Sequence, residues 1–141
     1  MKKVKSLIAI LSIFILITAC GKSEPQTMTL SFESNPTTGY SWTATQNSEL
    51  FTITDEYIEN EHEEGMTGVG GQQVFLLLPN EPGTCEITFT YARSWEQTEA
   101  DTTVSYTVEI DKNKHIKVLS SKLAGGDDIN SIPQIPKPVI E

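Results

Sequence analysis

From Met28 to Leu119 apolar and polar residues alternate in short runs with a period of two, the mark of strands that bury one face. Met28, Leu30 and Phe32 alternate with Thr29, Ser31 and Glu33 in the first run. Tyr40, Trp42 and Ala44 define a second, and Leu50 to Ile53, extending toward Tyr57, a third. Gln72 to Leu78 reads as the fourth. Thr84 to Ala92 alternates most cleanly, with Cys85, Ile87, Phe89 and Tyr91 on one side. Thr103 to Ile110 repeats the pattern through Val104, Tyr106, Val108 and Ile110, and His115 to Leu119 adds a short last run. Turn chemistry separates the runs, most clearly at Pro79-Asn80-Glu81-Pro82-Gly83 and Asp111-Lys112-Asn113-Lys114. No segment past the first twenty residues has helical periodicity. Seven short strands with regularly spaced turns predict an all-β fold, an immunoglobulin-like antiparallel β-sandwich.

The first twenty residues obey a different rule. Lys2, Lys3 and Lys5 precede an uncharged apolar run, Leu7 to Ile17, and the segment closes on Thr18-Ala19-Cys20. This is the pattern of a secretory leader over residues 1–19, short for a bilayer span. Its alternatives are an uncleaved anchor, or cleavage that leaves Cys20 an ordinary thiol. The Ile-Thr-Ala-Cys ending resembles the bacterial lipobox, which implies lipidation of Cys20 and a protein held on the membrane, facing outside the cytoplasm. Two or three acyl chains anchor stably where one is marginal. Residues 20–26 then form a lipidated tether and residues 27–120 the folded domain. Residues 121–141, with Pro133, Pro136 and Pro138, are expected to be an irregular or extended tail.

Charge and side-chain chemistry narrow the function. Loss of Lys2, Lys3 and Lys5 with the leader leaves 7 Lys+Arg against 19 Asp+Glu, a net charge of −12. Phosphate binding needs clustered cations, so the balance argues against a nucleic-acid partner. With Cys20 acylated, Cys85 has no disulfide partner and reads as a small buried hydrophobe. Glu61, His62 and Glu63 are possible metal ligands, but neighbours in an extended chain point to opposite faces, and a solvated loop is expected instead. The glycine-dense stretch Gly65 to Gly71 lacks the following Lys-Ser/Thr and helix of a phosphate cradle. Asp127-Asp128 lacks the spacing of a calcium loop. His115 is expected as an exposed strand or turn residue. No cofactor or metal is expected. Catalysis would have to combine the buried Cys85 with His62 or His115, and no catalytic motif is present, so the chain does not read as an enzyme.

Three loops remain. In Asn35-Pro36-Thr37-Thr38-Gly39 the proline fixes its own φ and drives Asn35 from the helical region, while Gly39 permits a positive φ where the chain re-enters a strand. Thr37 and Thr38 are expected to expose their hydroxyls on this stiff backbone. The second loop is Gly68-Val69-Gly70-Gly71 and the third Arg93-Ser94-Trp95. In order and spacing the three resemble the chagasin family, inhibitors of papain-type cysteine proteases. That family carries Asn-Pro-Thr-Thr-Gly, Gly-x-Gly-Gly and Arg-Pro-Trp loops on a β-sandwich. The resemblance spans Thr27 to Asp111 and includes the aromatic-x-Trp continuation at Tyr40 and Trp42.

Two departures stand out. Ser94 replaces the proline, which predicts a looser third loop and a larger ordering cost on binding. Little chain precedes the first strand, so an early strand of the family is expected to be missing. The resemblance implies a reversible, tight-binding, monomeric inhibitor whose three loops block the protease cleft. Thr37 and Thr38 would lie nearest the catalytic cysteine and histidine. Gly68, Gly70 and Gly71 would let backbone approach the enzyme, and Arg93 and Trp95 would be hot spots. The rival reading keeps the sandwich but makes it an adhesive or structural lipoprotein module with another partner.

Overall fold

A computed structural model describes residues 23–98, 101–125 and 135–141. The leader, Cys20 and the Asp127-Asp128 pair lie outside the described residues. The strands are β1 (Met28–Ser34), β2 (Tyr40–Gln46), β3 (Phe51–Glu59), β4 (Gly71–Pro79), β5 (Gly83–Arg93), β6 (Thr102–Ile110), β7 (Ile116–Ala124) and β8 (Val139–Ile140). They form two antiparallel four-stranded sheets, ordered β3-β4-β1-β8 and β2-β5-β6-β7. The expected all-β sandwich is what the chain builds.

Alternation determines the core. Met28, Leu30 and Phe32 of β1, Phe75 and Leu77 of β4, Ile87 and Phe89 of β5, and Val104, Tyr106 and Val108 of β6 are all buried. Phe32 is the central contact, its ring centroid 4.4 Å from Trp42, 4.9 Å from Phe89 and 5.8 Å from Phe75. Cys85 is buried with them, and burial pushes its thiol pKa up, away from a reactive thiolate.

Three features were not readable from periodicity. First, β7 runs to Ala124, past the boundary placed at residue 120. Thr107 pairs with Ser120 but Val108 with Val118, so Leu119 is an extra residue bulged from the ladder. The bulge shifts the alternation so that Leu123 pairs with the buried Val104 and Lys122 with Ser105, although Leu123 itself stays exposed at this sheet edge. Second, the end of the tail is a strand: Val139 and Ile140 pair with Thr29 and Met28, and Ile135 and Ile140 pack on the core. Thr27 and Glu141 exchange both backbone bonds just beyond this pairing, at 2.8 and 3.1 Å, and β8 begins directly after Pro138.

Third, side-chain amides tie the two sheets together along the β2 and β3 edges. Gln73 accepts from Trp42 N–H (2.9 Å) and donates to Trp42 O (2.8 Å) and Asp55 Oδ2 (2.9 Å). Gln46 does the same for Phe51, accepting from its N–H (3.1 Å) and donating to its O (2.8 Å). Edge-strand backbone that would otherwise face solvent is satisfied by these amides.

Candidate functional site

Strand direction brings the three loops to one end. Ser34 and Glu59 both pair with Gly71, Tyr40 pairs with Arg93, and Tyr91 pairs with Thr102. The β1–β2, β3–β4 and β5–β6 connections therefore leave the sandwich side by side, and they touch.

The first loop is a single 3-10 turn, Pro36–Thr38, organised by Asn35. Asn35 Oδ1 accepts from Thr37 N (3.2 Å) and Thr37 Oγ1 (2.6 Å). Asn35 O accepts from Thr38 N (3.1 Å) and Thr38 Oγ1 (2.7 Å), and Pro36 O accepts from Gly39 N (2.9 Å). The threonines are exposed as expected, with both hydroxyl hydrogens donated back into the turn, and Thr38 Oγ1 also accepts from Tyr40 N–H at 3.4 Å. Gly39 adopts the left-handed φ of 84° that the sequence demanded.

Asn35 also reaches the second loop, where its Nδ2 donates to Gly68 O at 3.1 Å. That loop is closed at its neck by Asn60 N donating to Gly70 O (3.0 Å). The three glycines do different work. Gly68 has a φ of 73° and open space around its Cα. At Gly70 a Cβ would sit 3.3 Å from Ser34 O. At Gly71, buried at the start of β4, a Cβ would collide with Ile58 O and lie 2.7 Å from the Tyr57 hydroxyl. Internal packing alone therefore demands glycine at position 71. Val69 is half-buried.

His62, in the acidic run, has Nε2 2.6 Å from Glu59 Oε1 and Nδ1 2.8 Å from Glu63 O. The Glu63 carbonyl, and then the Glu59 carboxylate, hold its pKa above the ordinary histidine value. The run itself is exposed, as expected, and among the described residues no group of three His, Cys, Asp or Glu side chains converges on a metal-sized site.

The third loop is a tight turn in which Glu96 N donates to Arg93 O at 3.1 Å, with Ser94 and Trp95 as its central residues. Arg93 lies with its guanidinium 4.7 Å from the Tyr40 ring centroid and Nη1 3.5 Å from Glu96 Oε2. Trp95 is 71 % exposed, the most exposed large hydrophobic among the described residues. Its indole edge packs on the first loop so closely that a Cβ at Gly39 would be 2.6 Å from Trp95 Cη2.

Sequence reasoning missed Tyr91 as part of this end. Its hydroxyl accepts from Asn35 N–H at 3.4 Å, and its ring stacks on Trp42 (5.0 Å) and lies 5.2 Å from Tyr40. Alternation marked Tyr91 as inward; only the register with Trp42 reveals what it supports.

The sequence model described as "Chagasin family peptidase inhibitor I42" matches residues 23–110. Amoebiasin-1 of Entamoeba histolytica is 33% identical over 76 residues, 54% of this chain and 74% of its own length. Amoebiasin-2 of the same organism is 32% identical over 69 residues, 48% of this chain and 56% of its own. A solution structure of amebosin superposes with a TM-score of 0.53 at 28% identity, over 62% of this chain and 83% of that one.

Proposed function

The chain belongs to the chagasin family of peptidase inhibitors, and from that premise we propose that it is a reversible, tight-binding inhibitor of papain-type cysteine proteases, acting by insertion of its three-loop tip into the active-site cleft. One observation carries the reading: the first loop is bonded to the second through Asn35 and Gly68 and packed on the third through Gly39 and Trp95. A tip already braced in this way loses little conformational entropy on binding.

The turn also supplies a reason for surviving in a protease cleft. Thiolate attack needs a substrate carbonyl presented to the nucleophile with its oxygen in an oxyanion hole. In the first loop the carbonyls of Asn35 and Pro36 are engaged by Thr38 and Gly39 inside the turn. They are withheld from the enzyme, and the oxygens of the exposed threonines offer acceptors that contain no cleavable bond. Arg93 and Trp95 flank this plug with the residue types that dominate hot spots.

Lipidation at Cys20 fits the same picture. Residue 27 leads into β1 at the end opposite the tip, and seven residues of strand span roughly 20 Å. A membrane tether at that end leaves the tip pointing away from the bilayer. Metabolic labelling with a radioactive fatty acid should mark the native chain and not Cys20→Ala; equal labelling would refute the anchor.

The inhibitory reading is tested by titrating papain with the purified protein. Activity should fall in proportion to added protein until about one equivalent and return on dilution with substrate. Folded protein that leaves papain fully active refutes it.

A further inference from the structure

The second loop carries a side chain that nothing in the fold uses. Residues 60–68 are otherwise polar, charged or glycine, yet Met66 is 56 % exposed and joins no apolar cluster. After Trp95 it is the most exposed large hydrophobic among the described residues. A lone exposed hydrophobic is ordinary on a protein surface. Its setting here is not.

The segment that presents it is held on both sides. Met66 N donates to Glu63 O at 3.3 Å, and the chain takes left-handed glycine conformations at Gly65 (φ 86°) and Gly68 (φ 73°). Nothing lies within 4 Å of where a Cβ would project at either glycine. Gly68 O is in turn fastened to Asn35. The first loop is therefore met at its first residue by the loop bearing Met66 and at its last, Gly39, by Trp95. An unbranched thioether that adapts its shape is suited to an apolar hollow that varies between partners.

Resting on the inhibitory reading above, we infer that Met66 is a second apolar anchor, paired with Trp95 about the first loop, that inserts into an apolar hollow on the rim of the protease cleft and sets which papain-type enzymes are held tightly. The second loop then contributes a side chain as well as backbone, and its contact is continuous with that of Asn35 and Gly68.

The test measures Kd for papain with the full chain and with Met66→Ala, Met66→Gln and Met66→Leu, alongside Trp95→Ala. Met66→Ala and Met66→Gln should each raise Kd about tenfold, the loss expected for a largely buried thioether. Met66→Leu should stay within about threefold of the native value, because the swap conserves volume and apolarity. Recovery by leucine separates apolar anchoring from a general disturbance of the loop. If Trp95→Ala weakens binding while the alanine and glutamine variants at Met66 stay within about twofold of native, the anchor is refuted and the inhibitory tip stands. If the native chain does not inhibit papain, the inhibitory reading fails and takes the anchor with it.

Discussion

The first and third loops occupy the same tip but are held in opposite ways. The first is locked by its own atoms: Asn35 alone makes contacts to Thr37, Thr38, Gly68 and Tyr91. The third has one turn bond, a 3.5 Å ion pair open to solvent, the Arg93 guanidinium beside the Tyr40 ring, and a largely exposed indole whose edge meets Gly39. An exposed pair of that kind contributes little. The difference assigns the two loops different costs on binding: a rigid plug that needs no ordering, beside an adaptable anchor that must be ordered in the complex.

That division is tested most severely where the loops meet. Gly39→Ala places a side chain in the left-handed region, at a cost of about 1–2 kcal/mol, and drives Trp95 from its seat. Inhibition should weaken on the order of 100-fold, measured as Kd for papain. Trp95→Ala should raise Kd roughly 30-fold, about 2 kcal/mol, with the thermal midpoint unchanged because the residue is largely exposed. Asn35→Ala removes both the cap and the tie to Gly68. It should raise Kd about tenfold and also lower stability by about 1 kcal/mol, seen as a shifted urea midpoint. A change in Kd with no change in stability would show that Asn35 touches the partner instead of bracing the tip.

Smaller effects sharpen the contrast. Ser94 is the first central residue of its turn, where proline is favoured. Ser94→Pro should stiffen the third loop, stabilising the fold by about 0.5 kcal/mol and lowering Kd a few-fold. In the second loop His62 binds its proton more tightly folded than unfolded. Its contribution is therefore present below the unfolded pKa and lost as pH rises through the raised one. Proton NMR of the ring should show a midpoint above the ordinary histidine value, falling in Glu59→Gln.

Most strands were legible because burial on one face imposes a period of two, and the tip's ingredients were legible because Pro36, Gly39 and Gly68 carry conformational demands in their own chemistry. What stayed hidden depended on partners distant in the chain. The Leu119 bulge resets the alternation, so β7 looked finished at the residue where it kinks. Strand β8 is too short to show a period and sits among prolines. Gln46 and Gln73 read as polar strand residues, and nothing local reveals that each completes another strand's backbone bonding. Gly71 looked like a loop glycine because Tyr57, which covers it, is fourteen positions earlier.

The central claim, that three loops act as one plug, is tested most directly by the amide spectrum of the isotopically labelled protein titrated with papain. The account predicts shifts at 35–39, 66–70 and 93–96, with the opposite-end turns at 47–50, 80–82 and 111–115 unmoved. Shifts centred on those opposite-end turns, or confined to one of the three loops, would contradict it.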